Sequence, residues 1–235
     1  IPGAAAVLAL VSFAGAGCAQ KVEPFSVRAP GLFPEGLEYD AGRGAFLITS
    51  LTEGKVHAVK AGAEPELLID DADLVSAIGI RIDAKRNLLF VCSSDPGVSK
   101  KTAPETQKQL AGLAIYDLKT AAKQKFLRLD ELNAGAPSFC NDIAIAPNGN
   151  VFVTNSFSPI VYKIDPDFNA SIVLNAPELA ANGFGLNGIV ALDDNTLLAP
   201  LSVYGALYRV DVAAGTATAG ELSEPMPNAD GLVQL

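Results

Sequence analysis

The sequence predicts an all-β protein, a β-propeller of four-stranded antiparallel blades, and three observations predict it. One short segment recurs five times: a variable residue, then Gly or Asp, then an aliphatic residue that begins an alternating strand. The recurrences start at Glu35, Ile78, Asn141, Asn187 and Asp230, and three of the four intervals fall in the ~40–50 residues of a propeller blade. The same series of further strands follows the first four of them, which a two-sheet sandwich does not require.

The strands can be read in order. First strands begin at Glu35-Gly36-Leu37, Ile78-Gly79-Ile80, Asn141-Asp142-Ile143 and Asn187-Gly188-Ile189. Each runs into an Asp-, Asn- or Gly-bearing turn, and an apolar second strand follows: Ala45–Ile48, Leu88–Cys92, Val151–Thr154 and Thr196–Ala199. Alternating third strands are expected at Lys55–Val59, Leu113–Asp117, Val161–Asp165 and Ala206–Val210. The fourth strands are weaker, as exposed edges should be: Glu66–Ile69, Lys125–Leu129, Ser171–Leu174 and Thr218–Leu222. The long interval holds a polar insertion, Asp95 to Gln109, expected as a solvated loop with a lid over the channel as the alternative. Asp230-Gly231-Leu232 opens the first strand of a fifth unit that reaches Leu235. A six-bladed parent would then need about one and a half further blades to close, and 22–28 is a candidate outer closing strand.

Composition supports a large apolar core and narrows the function. Of 235 residues, 49% are hydrophobic and 18% charged, so global disorder is not expected. A net charge of −9 disfavours a nucleic-acid partner or an anionic membrane surface. One His and three Cys rule out a Cys/His zinc cluster, a His-pair base and a His-rich catalytic array. The first 20 residues carry no charge, and Ala4 to Phe13 has the length of a signal-peptide core before the small residues Ala14-Gly15-Ala16. Export, with 1–20 removed and no stable membrane span afterwards, is the expectation, giving a secreted or periplasmic propeller over 21–235. Lipidation at Cys18 and a membrane anchor are the alternatives.

The chemistry resides in the repeat. First strands of a propeller line the central channel, so the residue before each Gly or Asp points to a common axis. Four of its five occupants, Glu35, Asn141, Asn187 and Asp230, offer a side-chain oxygen. Calcium takes six to eight such ligands, with waters completing the shell. The alternative is a set of turn-capping residues at strand starts.

The phrases Phe33-Pro34-Glu35-Gly36-Leu37, Cys140-Asn141-Asp142-Ile143, Leu186-Asn187-Gly188-Ile189 and Ala229-Asp230-Gly231-Leu232 resemble the senescence marker protein/gluconolactonase/regucalcin family. The diisopropyl-fluorophosphatases and strictosidine-synthase-like proteins are similar. The resemblance implies a six-bladed propeller hydrolase with a divalent ion, usually calcium, at the channel mouth. It maps metal ligands onto Glu35, Asn187 and Asp230, with Asn141 as a fourth, and matches Asp142 to the acidic residue that follows.

Sugar-lactone hydrolases place an Arg where this chain has Phe139, and a benzyl group donates no hydrogen bond. A more apolar lactone or ester is therefore the expected substrate. Asp230 or Asp142 would act as catalytic base toward a water, and Phe139, Phe157 and Tyr204 are candidates for contacting substrate. A non-catalytic, calcium-stabilised binding scaffold is the rival reading. Tyr39, Phe46, Phe90, Phe126, Phe152 and Tyr208 are expected in the core. Cys92 and Cys140 are expected on neighbouring blades as small buried fillers; a disulfide between them, which an oxidising compartment permits, is the alternative.

Overall fold

The computed structural model describes residues 24–234. The expected export segment, 1–20, lies outside the described residues. Four antiparallel sheets follow one another, each four strands wide with neighbours in chain order. Blade 1 comprises β1 (Pro34–Asp40), β2 (Ala45–Ser50), β3 (Lys55–Val59) and β4 (Glu66–Asp70). Blade 2 comprises β5 (Ser76–Asp83), β6 (Leu88–Ser94), β7 (Ala111–Asp117) and β8 (Lys123–Arg128). Blade 3 holds β9 (Cys140–Ile145), β10 (Val151–Asn155), β11 (Ile160–Ile164) and β12 (Ala170–Asn175). Blade 4 holds β13 (Val190–Ala191), β14 (Thr196–Leu201), β15 (Ala206–Asp211) and β16 (Thr216–Ala219). Among the described residues no helix is long and apolar enough to cross a membrane.

The turns explain why acidic and amide residues recur between first and second strands. Asp40 Oδ1 accepts the N–H groups of Gly42 and Arg43 at 2.8 and 3.2 Å. Asp83 accepts that of Arg86 at 3.0 Å, Asn148 that of Asn150 at 2.9 Å, and Asp193 that of Asn195 at 2.8 Å. Each side chain replaces the ladder hydrogen bonds lost where the strand reverses.

Blades stack through period-2 alternation. On β6, Leu88, Phe90 and Cys92 face blade 3, packing with Ile143, Val153 and Tyr162. Leu89 and Val91 face the other way, against Leu47, Val56 and Leu74 of blade 1 and its link to blade 2. A strand apolar on both faces is what a blade sandwiched between two others demands. Phe152, Val161, Leu197 and Val210 continue the stack into blade 4.

Several expectations need correction. No strand forms after Asp230: residues 231–234 have no strand partner among the described residues, so no ladder exists to define one. β13 is only two residues long because Pro200, near Gly188 on the facing strand, has no N–H to donate. β16 begins at Thr216, opposite Asp211, immediately after a tight turn, rather than at Thr218. Residues 24–28 form no strand, although Phe25 lies 6.1 Å from Phe46 between ring centres. Of the aromatic residues expected in the core, Phe90 and Phe152 are fully buried, whereas Tyr39 is 51% exposed. Tyr39 instead rests on Phe46, ring centres 4.9 Å apart, at the margin of the cavity described below.

The insertion is the expected loop, much of it exposed, but it is anchored to its neighbours and does not lid the cavity. Buried Asp95 organises it, accepting from Gly97 N, Thr102 Oγ1 and Thr106 Oγ1 at 2.7–2.9 Å. Lys100 N donates to Thr52 O at 2.8 Å, Lys101 Nζ to Gly54 O at 3.0 Å, and Ser138 N to Lys108 O at 3.1 Å. The segment is a strap across blades 1, 2 and 3. Cys92 and Cys140 are likewise not separate fillers. They form a disulfide with Cα atoms 5.3 Å apart, both residues fully buried.

Candidate functional site at the channel mouth

First strands of successive blades lie side by side, β1 against β5 and β5 against β9, with β9 reaching β13. At three junction positions they approach so closely that a side chain is excluded, whereas blade 3 accommodates Asp142 there. A Cβ at Gly36 would overlap the Ile78 carbonyl oxygen, one at Gly79 that of Asn141, and one at Gly188 that of Asp230. The recurring glycine is therefore a steric requirement of the channel wall. The preceding residue is left at its rim.

A cavity of about 400 Å³ opens on this wall, and Glu35, Ile78, Asn141, Asp142 and Asp230 all line it. Four of the five repeat positions thus share one volume. Asn187 does not line the cavity but is buried beside it, and its Oδ1 has no hydrogen-bond partner among the described residues. Asn141 donates from Nδ2 to Ser156 Oγ at 2.6 Å, and that hydroxyl donates to Leu186 O at 2.6 Å. The amide is thereby held by its nitrogen end.

The electrostatics are those of crowded carboxylates. Burial, and then the nearby Asp230 charge, push the Glu35 carboxyl above its ordinary value. Asp142 is raised chiefly by burial, against the opposing pull of Arg81 and of the Ile143 and Ile189 N–H groups. Those two donors occupy both its oxygens: Ile143 N lies 2.8 Å from Oδ1 and Ile189 N 3.2 Å from Oδ2. Asp142 consequently binds blade 3 to blade 4. Asp230 accepts no such bonds among the described residues and is the freer of the two proposed bases.

Sequence reading missed Glu38 and Arg81, which also line the cavity. Arg81 donates to Ile143 O at 3.0 Å and to Glu38 Oε2 at 3.2 Å, and stands 3.6 Å from Asp142 Oδ1. Burial raises the Glu38 carboxyl, with Arg81 partly offsetting it. Their signal was two opposite charges at the same repeat position, two residues past Gly36 and Gly79, where the other blades carry Ala144 and Val190.

Phe139, Phe157 and Tyr204 do not line the cavity. Phe139 is 3% exposed, and its ring meets Phe157 and Phe184 at 5.0 and 5.3 Å. Phe184, also missed, is 43% exposed and lies in the loop before Leu186. Tyr204 ends a single turn of 3₁₀ helix, Ser202–Tyr204, and is 63% exposed. The three phenylalanine rings gather in the loops at the end where first strands begin, and neither they nor Tyr204 belong to the cavity wall.

The donor set fits a hard cation in kind: oxygen only, with an excess of carboxylate and one buried amide oxygen lacking a donor. Among the described residues no group of three or more His, Cys, Asp or Glu is arranged to hold a metal ion, so an ion here would depend on the amides.

No family model and no curated protein matches the sequence. Solved structures do share its architecture. A chain of the nidogen/laminin complex superimposes with a TM-score of 0.62 at 12% identity, over 84% of this chain and 66% of that one. Streptogramin B lyase gives 0.59 at 13% identity, over 88% of this chain and 60% of that one. Virginiamycin B lyase from Staphylococcus aureus gives 0.53 at 12%, over 84% and 73%. The two lyases are β-propeller proteins. This chain is a β-propeller. Some of its structural neighbours are enzymes, and the propeller described here spans about two thirds or less of the first two.

Proposed function

We propose that this propeller is a calcium-dependent hydrolase of a lactone or ester, of the gluconolactonase-like kind its motifs resemble. The observation that carries the reading is the convergence of Glu35, Asn141 and Asp230 on one cavity, beside the unpartnered Oδ1 of Asn187. Two carboxylates with no cation between them repel, and a buried amide oxygen without a donor is costly. A bound divalent ion relieves both.

Glu35, Asn141, Asn187 and Asp230 would hold the ion, which when bound supplies polarisation of a substrate carbonyl and a lowered pKa for water. Asp230, not engaged by main-chain donors, would accept the water's proton on its carboxylate. Asp142 holds the wall in place and adds negative field. Arg81 keeps that field from accumulating. Phe139 is buried outside the cavity, so the apolar surface on offer is the exposed Phe184 ring in the loop before Leu186, and a polyhydroxylated lactone has no Arg in place of Phe139 to meet it. The buried disulfide supports a secreted or periplasmic setting.

The test is a panel of aliphatic and aromatic esters and lactones, assayed in H₂¹⁸O with calcium and with a chelator. Turnover that needs calcium and places one ¹⁸O in the product carboxylate is expected; product lacking the label would point to lyase-type elimination. Calcium uptake without turnover would leave the scaffold reading, and absence of both overturns the proposal.

A further inference from the structure

Two neighbouring first strands are joined by a hydroxyl placed identically in the repeat. Leu37 pairs with Ile48, Ile80 with Val91 and Ile143 with Val153, which sets Thr49, Cys92 and Thr154 opposite Gly36, Gly79 and Asp142. Thr49 Oγ1 accepts Gly36 N at 2.7 Å and donates to Ile78 O of the next blade at 2.6 Å. Thr154 Oγ1 accepts Asp142 N at 3.2 Å and donates to Asn187 O of the next blade at 2.5 Å. Each hydroxyl ties its own first strand to the rim residue of its neighbour. At the junction between blades 2 and 3 the same position is Cys92, and the rim residue it should reach is Asn141. No hydroxyl is available, and the sulfur is instead bonded to Cys140, the residue immediately before Asn141. The outer tier of the junction is unchanged: Ser94 Oγ donates to Cys140 O at 3.0 Å, as Ser156 Oγ does to Leu186 O at 2.6 Å.

We infer that the Cys92–Cys140 bond is the covalent counterpart of the threonine clamp, and that the pair positions the main chain of Asn141 at the channel mouth. Its consequence for calcium rests on the function proposed above, whereas the clamp does not. Cys92→Thr should therefore replace the disulfide, and Cys92→Ala should not.

The full chain is prepared as wild type, as Cys92→Ala/Cys140→Ala and as Cys92→Thr/Cys140→Ala. Hydrogen exchange over 140–145 is followed against 45–50 in blade 1 as the internal control. Loss of the clamp should speed exchange at 140–145 about tenfold, the scale of one buried hydrogen bond, and threonine should restore most of it. An alanine pair that fails to fold beside a threonine variant that folds supports the clamp equally. Equal protection in the alanine pair and wild type, or a threonine variant no better than alanine, overturns it. Calcium titration of the same proteins should rank them in the same order. If wild type takes up no calcium, the cation reading fails while the exchange comparison still decides the clamp.

Discussion

Asp142 Oδ2 accepts the main-chain N–H of Ile189 at 3.2 Å, so a carboxylate at the head of blade 3 holds the first strand of blade 4. Its other oxygen accepts Ile143 N at 2.8 Å. In blades 1, 2 and 4 the equivalent residue is glycine, so at this repeat position a side chain reaches the next blade from blade 3 alone.

Asp142→Asn turns one of those acceptors into a donor facing an N–H. Leaving a buried donor unpaired costs about 1–3 kcal/mol, and urea unfolding should show a loss of that size. Asp142→Gly, although it restores the repeat, removes both bonds and should lose at least as much. Unchanged midpoints for both variants would show that Asp142 does not fasten the blades.

The threonine clamps make a matched forecast. Thr49→Val keeps the shape but strips the group that serves both Gly36 N and Ile78 O, and should destabilise by about 1–3 kcal/mol. Thr154→Val should behave alike, through Asp142 N and Asn187 O. Thr49→Ser keeps the hydroxyl and should stay within about 1 kcal/mol of wild type. A valine variant as stable as the serine variant would refute the clamp.

Acid sensitivity should arise at the outer rim between blades 1 and 2. Although burial opposes it, Asp71 is held below its ordinary 3.8 by Lys123, the Asp73 N–H and the Tyr116 hydroxyl. The Tyr116 hydroxyl donates to it at 2.9 Å, and Lys123 Nζ stands 2.8 Å away. A lowered folded-state value means stability that is present above the unfolded value and lost as pH falls through the folded one. Asp71→Asn should therefore melt below wild type at neutral pH, and the difference should close below about pH 3.8. A gap that persists undiminished at pH 2 would place the contribution in packing instead.

The repeat made the architecture legible because three separate constraints act at the same residues. Glycine is required where the first strands of blades 1, 2 and 4 touch their neighbours, Asp or Asn where the chain reverses, and alternating apolar residues where blades stack. Where a single residue breaks the rule, the pattern does not announce the consequence: Pro200 shortens β13 simply by lacking an N–H. The oxygen-bearing rim residues could be read from position alone, but Glu38 and Arg81 could not. A charge on a strand reads as solvent-facing until the next blade is shown to lie beside it. The aromatic loops were located only in part, because Phe139 turns into the core between blades and leaves Phe184 at the surface. The disulfide was legible only as the alternative to two buried fillers for a related reason: its formation depends on the offset between blades, which no intrachain spacing encodes.

The last prediction sets stability against cation binding at Glu35. Burial and the Asp230 charge raise this carboxyl, so its ionised form opposes folding when no cation is present. Glu35→Gln removes that charge while keeping the shape, and without calcium it should unfold at a higher temperature than wild type. With calcium the order should reverse. A ligand at 100 times its dissociation constant adds about 2.7 kcal/mol to the native state that binds it, and the glutamine variant forfeits most of this. Asn187→Leu should follow the same course for a different reason, since it removes a buried oxygen that no donor satisfies. Thermal melts of the three proteins, with chelator and with calcium in excess, read both halves at once. Crossing of the two orders is the expected outcome. If calcium raises all three melting temperatures equally, neither Glu35 nor Asn187 holds the ion, and the proposed site is wrong.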